Sequence, residues 1–490
     1  MNKRYWNRLA LKCCRRTSLL AFVAVVTLLN AAPAHCAEPP RLNVVVILAD
    51  DLGYGDLACN GNPYVETPNL DRLVKEGVRL TSFYAAAPVC SPTRGALLTG
   101  RLPQRNGVTN VLPNDDESAA LPREEVLLSE LLQQQAYRTG IFGKWHLGAG
   151  VGARPQQRGF DVFFGGLLGG LDFFNHRSEA HHHDLWENDN AVRHDGSYIT
   201  DLMAQQASSF VDKYATRPFF LYVPFHAVHL AMGPDSRQTI QAPQRWLDHY
   251  AKLDRTAKLS EENRTMLACI SAMDEAVGEI LKALDRNKLS DHTLVLFTSD
   301  NGPLTTAGSS AGPLRGGKHT LWEGGIRVPT IVRWPGKIPA GSTVDVPATV
   351  MDIMPTVLAA TGVAPAANRK LDGENILPIL TGEKTELPRT LYWSYIRTVL
   401  RPSREQAVRR GDWKWLNGEL YNLRTDPGET KNLAATEPKI VAELSEAWKT
   451  WLAQFPTEAS RWGDKPPIRG PESKKPKGKR KNKDGQDKQD

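Results

Sequence analysis

The 490-residue chain predicts an α/β fold, with a large, mostly parallel sheet flanked by helices and a smaller C-terminal α+β unit. Three observations carry that expectation. Residues 42–49 and 294–299 are near-continuous apolar runs rich in β-branched side chains, as suits strands buried on both faces of a parallel sheet. Strand-like and helix-like stretches alternate along the body, which favours parallel pairing with helical crossovers. Near residue 365 an Ala- and Pro-rich stretch and Leu371-Asp372-Gly373 give way to an aromatic-rich segment around Tyr392, Trp393, Trp413 and Trp415.

The elements follow in order. After the 42–49 strand, Thr67-Pro68 with Leu70, Leu73 and Val74 up to Gly77 predicts a short helix with a cap, an early proline and a terminating glycine. Residues 78–84 read as a strand leading to Cys90-Ser91-Pro92-Thr93-Arg94, where Pro92 suits the first turn of a helix through Leu97 and Leu98. Further helices are expected near 125–136, 198–214 and 262–288, and strands near 137–142, 218–225, 292–299 and 328–333. The C-terminal unit is expected over 385–465, built from the aromatic run, Leu420-Tyr421-Asn422-Leu423 and a last helix near 437–454. The body before it spans 37–384.

Both ends differ from this body. Residues 1–36 hold six basic residues and no acid, with an apolar run from Leu19 to Leu29 and then Ala31, Ala32, Pro33 and Ala34. They read as an export signal, too short to form a stable membrane span, and place the mature protein in the periplasm or outside the cell. Arg15-Arg16 is a weak twin-arginine hint. Residues 466–490 form a basic tail with no large apolar residue except Ile468, which reads as disordered. The ends thus hold the whole surplus behind the net charge of +7, and the body is mildly acidic. A basic groove for nucleic acid is therefore not expected.

Three of the six cysteines, Cys59, Cys90 and Cys269, belong to the mature chain. An odd number in an oxidising compartment asks for a fate other than a disulfide for at least one. Cys90 is the candidate, because a helix N-terminus favours developing negative charge and Arg94 lies one turn on. Both long strands end in oxygen ligands, Asp50-Asp51 and Asp300-Asn301; as neighbours they would converge at the carboxyl edge of the sheet. That set of hard oxygens suits Ca²⁺, with no histidine expected among the ligands. His181-His182-His183 reads as a polar loop near the entrance, because adjacent histidines cannot all turn to one ion.

Cys90-Ser91-Pro92-Thr93-Arg94, continuing through Gly95 and Leu98-Thr99-Gly100-Arg101, resembles the C-x-P-x-R signature of the type I sulfatases. The likeness extends in family order over about 42–433, through Gly53-Tyr54-Gly55-Asp56, Gly143-Lys144-Trp145-His146, Phe225-His226-Ala227-Val228-His229, Gly317-Lys318 and Glu323-Gly324-Gly325. The resemblance implies an alkaline-phosphatase-like fold and hydrolysis of aryl or carbohydrate sulfate esters. It implies a formylglycine made from Cys90 by a maturation enzyme, and Ca²⁺ held by Asp50, Asp51, Asp300, Asn301 and residue 90. It also implies that Arg94 holds the nucleophile's diol and that Lys144 and Lys318 surround the sulfate. One hydroxyl of the diol would attack sulfur, His229 would protonate the departing alcohol, and His146 would help deprotonate the second hydroxyl. Ala231 stands where the family commonly has proline. Two other readings remain at this point: a phosphonate or phosphate diester hydrolase of the same superfamily, and a catalytically silent glycan-binding protein.

Overall fold

The structure is a computed structural model, and it describes residues 41–178, 182–232, 238–397 and 403–455. The export signal, His181 and the basic tail lie outside the described residues. A ten-stranded sheet organises the body. At its centre Asn43–Ala49 pairs in parallel with Thr293–Ser299 on one side and Phe219–Pro224 on the other. Arg138–Phe142 and Val162–Gly165 extend the parallel run.

The central strand explains its own sequence. Val45, Ile47 and Ala49 enter one hydrophobic core, shared with the helices Ile199–Lys213 and Glu261–Arg286. Val44, Val46 and Leu48 enter the other, with the helices Cys90–Thr99, Leu128–Gln134 and Ile353–Thr361. A strand covered on both faces has no polar side to present, so the run is unbroken.

Several local expectations change. Residues 78–84 do not form one strand. Val78–Leu80 joins the large sheet, whereas Phe83–Tyr84 pairs with Ala348–Thr349 in a separate two-stranded one. Thr330–Arg333 runs antiparallel to Thr293–Ser299 and to Val78–Leu80, so this side of the sheet departs from the parallel run. Thr67 does not cap its helix, Pro68–Glu76, with its side chain. The amides of Asn69 and Leu70 are instead taken by the Asp274 carboxylate at 3.1 and 2.7 Å. A tertiary partner replaces the local one.

The C-terminal unit is a four-stranded antiparallel sheet, Thr390–Arg397, Ser403–Arg410, Trp413–Leu416 and Glu419–Asn422, with the helix Pro438–Leu452. Val408, Trp415 and Leu420 pack on Leu444, Trp448 and Trp451 of that helix. Trp393, Tyr395 and Leu416 pack on Tyr84, Val89, Leu321 and Ile326 of the body. The aromatic enrichment thus serves two interfaces of one thin sheet.

A buried ionic network crosses the second interface. Lys414 is wholly buried, with its ammonium 3.0 Å from Glu323 and 2.8 Å from Glu429. Burial opposes the charge on Glu323, yet Lys414, Arg327 and Arg409 hold its carboxyl down to about 2. Burial pushes Glu429 up to about 7, only partly offset by Lys414. Lys414→Met is expected to cost about 3–5 kcal/mol of unfolding free energy, since it strands buried carboxylates. A denaturation midpoint equal to wild type would show that the network carries no such weight.

Candidate active site

The carboxyl edge of the central strands supplies the first layer of the site. Asp50 and Asp51 follow Ala49 directly, and Asp300 and Asn301 follow Ser299. Backbone bonds stitch these turns together: Asp300 N–H donates to Ala49 O at 3.1 Å, Asp50 N–H to Ala227 O at 3.0 Å, and Val228 N–H to Asp50 O at 2.8 Å. The third neighbouring strand, Phe219–Pro224, therefore delivers the 226–229 turn to the same edge.

The Cys90–Thr99 helix stands beside this edge with all ten residues buried. Thr93 anchors its start by exchanging hydrogen bonds with both backbone groups of Ala87. Arg94, fully buried, donates through Nη2 and Nε to Asp300 at 2.7 and 3.0 Å and through Nη1 to Lys144 O at 2.9 Å. Lys144 pairs with Asp50 at 2.6 Å, and Lys318 with Asp51 at 2.7 Å. Gly143 permits this arrangement. Its φ is +142°, and a Cβ there would lie 2.0 Å from Pro224 O, the carbonyl that accepts the Lys144 N–H at 2.7 Å.

Asp51, His146 and His319 are non-glycine residues in the left-handed region, with φ of 61°, 53° and 69°. Such backbone is held only where surrounding bonds enforce it, and functional sites concentrate it. The expected site residues thus converge: Cys90, Arg94, Lys144, His146, His229 and Lys318 gather with Asp50, Asp51, Asp300 and Asn301.

The two histidines differ in what each presents. His146 Nε2 lies 3.1 Å from the Leu112 carbonyl, which can only accept, so that nitrogen carries the hydrogen. Burial, then Lys144 and Arg94, hold His146 well below its ordinary value. The neutral ring accordingly aims its lone pair at Nδ1 toward the Cys90 sulfur, 3.4 Å away. His229 Nδ1 lies 2.7 Å from the Leu230 carbonyl, so Nε2 is its open nitrogen. Burial and then Lys318 lower His229 to about 4. His226 is also buried but does not line the cavity, whereas His229 does.

Three carboxylates here face three permanent cations, and the acids still oppose one another. Asp50 is held well below the usual range: burial acts against ionisation, but Lys144, His229 and Arg94 overcome it. Asp300 is pushed well above that range by burial and the Asp50 charge, despite Arg94. Asp50 Oδ1 and Asn301 Oδ1 are buried oxygens with no hydrogen-bond partner. Unpaired hard oxygens beside mutually repelling carboxylates fit a divalent cation such as Ca²⁺. His229 stands beside this oxygen set. Ligand atoms of Asp50, Asp51 and His229 lie within 4.8 Å of one another, with His229 Nε2 3.7 Å from Asp51.

Cys90, His146, His229 and Lys318 open on a cavity of about 600 Å³. Part of its wall was not legible in the sequence. The 110–114 loop lines it, and Leu112 there fixes the His146 tautomer; no periodicity or motif marks that loop. His319 and Tyr395 also line the cavity, Tyr395 from the C-terminal sheet. His182 and His183 do not line the cavity; His183 turns its Nε2 to the Val192 carbonyl, which satisfies it inside its own loop. Cys59, Cys90 and Cys269 are all free thiols.

The sulfatase family profile matches residues 42–363, about two thirds of the chain, and contains every site residue described above except Tyr395. The chain belongs to the sulfatase family. It is a sulfuric ester hydrolase. A second profile, the C-terminal region of N-sulphoglucosamine sulphohydrolase, matches residues 317–455. The chain is 34% identical to N-acetylgalactosamine-6-sulfatase of Mus musculus, covering 84% of this chain and 80% of that one. It is 35% identical to arylsulfatase A of Homo sapiens, covering 85% and 83%. Among solved structures, Ps i-CgsB in complex with k-i-k-neocarrahexaose superimposes with a TM-score of 0.77 at 31% identity, over 84% of this chain and 92% of that one. This sulfatase therefore has an alkaline-phosphatase-like fold, in which a large, mostly parallel sheet is followed by a small antiparallel one.

Proposed function

We propose that the protein is an exported sulfatase that releases inorganic sulfate from aryl or carbohydrate sulfate esters, using a formylglycine made from Cys90 and a calcium ion. The observation that carries this reading is the Cys90 side chain in the cavity, 3.4 Å from the unprotonated Nδ1 of His146. A base whose other nitrogen is tied to a backbone carbonyl is aimed at one reacting group.

Asp50, Asp51, Asp300 and Asn301 would hold the calcium, together with the oxygen that replaces the sulfur of residue 90. The aldehyde hydrate supplies an oxygen nucleophile, and the cation supplies polarisation of the sulfate. Arg94 fixes the Asp300 carboxylate and the Lys144 backbone, so the helix bearing residue 90 and the acidic edge keep one geometry. Lys144 and Lys318 neutralise Asp50 and Asp51, which lets the added cation leave net positive charge for the sulfate. His146 accepts a proton at Nδ1 from the group at position 90. His229 delivers one from Nε2 to the departing alcohol oxygen; sulfate's negative charge opposes the burial and Lys318 effects that lower its proton affinity. On this reading residues 37–384 form the catalytic domain and 385–465 a subdomain that closes the cavity wall. Residues 1–36 direct export, and a maturation enzyme oxidises the thiol.

Incubation of matured protein with 4-nitrophenyl sulfate and with sulfated sugars is expected to release sulfate, and a calcium chelator to suppress it. No release from any of them would contradict the proposal. The acid limb of kcat is expected below pH 6.5, since His146 must be unprotonated to act and its folded value lies below the ordinary one. A limb above pH 6.5 would remove His146 from that role.

A further inference from the structure

Beyond the groups that handle sulfate, the cavity wall has a distinct chemical character. Among the described residues that line it, Lys318 alone carries a permanent charge, and that charge is already matched by Asp51 at 2.7 Å. The rest is apolar or carries amide, phenol and imidazole groups.

Two of those groups touch. The Tyr395 hydroxyl lies 3.1 Å from His319 Nδ1. Each is fixed by a different part of the fold. The His319 N–H donates to Pro88 O at 3.0 Å, two residues before Cys90, and its carbonyl accepts from the Arg397 guanidinium. Tyr395 is 2% exposed and packs with Tyr84, Leu321 and Trp393. The position of this pair relative to the reacting centre is therefore set by a backbone bond beside Cys90 and by the tight packing of Tyr395. Burial, then Lys318 and Arg397, lower His319 to about 4, so its ring is neutral near pH 7. A phenol and a neutral imidazole together offer donors and acceptors without charge, which matches ring hydroxyls. A carboxylate on the substrate would meet no unmatched cation among the described lining residues.

We propose that His319 and Tyr395 form the specificity-determining contact for the alcohol half of the substrate, selecting a neutral, hydroxyl-bearing sugar ring over one that carries a carboxylate. The inference rests on the sulfatase reaction at position 90 but concerns residues that the reaction itself does not require.

The test uses matured full-length protein with three probes: a panel of galactose monosulfates, 4-nitrophenyl sulfate, and sulfated disaccharides containing a uronate. Wild type is expected to turn over at least one galactose monosulfate with higher kcat/KM than any uronate disaccharide. Tyr395→Phe is expected to lower the ratio of sugar to aryl kcat/KM about tenfold, as loss of one neutral hydrogen bond in a desolvated contact allows. His319→Asn, which tolerates the left-handed backbone, is expected to move the ratio the same way. Tyr395→Phe preserves shape and keeps the test valid if His319→Asn fails to fold. A ratio within twofold of wild type in the folded variants, or a uronate disaccharide as the best substrate, overturns the inference while leaving the sulfatase reading intact. No sulfate release by wild type from any probe overturns both.

Discussion

Cys90→Ala is expected to release sulfate at least about 10⁴-fold more slowly than wild type, with its thermal stability little changed. The magnitude is that of losing a covalent nucleophile whose neighbours act only through it. Arg94, Lys144 and His146 are arranged around this one side chain: the first two are tied to the acidic edge, and the third points its lone pair at the sulfur. Removing the side chain leaves them intact and idle. Stability should hold because the substitution removes one sulfur at a cavity wall and leaves the helix core through Leu97 and Leu98 in place. Steady-state sulfate release and a melting curve check the two halves, and an alanine variant with more than a few per cent of wild-type activity would contradict the assignment.

Lys144→Met should be damaging in both respects. Lys144 and Asp50 are completely buried and paired at 2.6 Å, and Arg94 stands 3.6 Å from the same Asp50 oxygen. Taking away the ammonium leaves that buried carboxylate with Arg94 at 3.6 Å, a guanidinium already committed to Asp300 at 2.7 Å, at a cost of about 3–5 kcal/mol. Charge stabilisation of the sulfate is weakened as well, which should lower kcat by about 10²- to 10³-fold. Added calcium should restore part of the melting temperature, since a cation at Asp50 substitutes for the missing charge. A variant that melts with the wild type in the absence of calcium would show that the pair does not have this role.

Much of the site was legible because its chemistry is written at strand ends. Asp50-Asp51 and Asp300-Asn301 stand where apolar runs stop, and a buried parallel strand can place polar residues only at its edge. The cysteine motif was legible for a similar reason, with Pro92 and Arg94 marking a helix start. The wall of the cavity was not. Leu112 acts through its carbonyl, which any residue would provide, and Tyr395 reaches the site from a sheet far along the chain. The splitting of residues 78–84 into two strands was equally hidden, since Thr81-Ser82 between the pieces holds no glycine or proline to mark a break, and it is their partners that differ. Thr67 shows the limit of local rules: its sequence context is that of a cap, yet Asp274 on another helix takes the amides.

The most direct measurement is the mass of the peptide bearing position 90, taken from protein matured in its native host. The proposed mechanism requires that peptide to have exchanged H₂S for a single oxygen atom, the signature of a thiol turned into an aldehyde. An unmodified cysteine in material that nonetheless releases sulfate would contradict it.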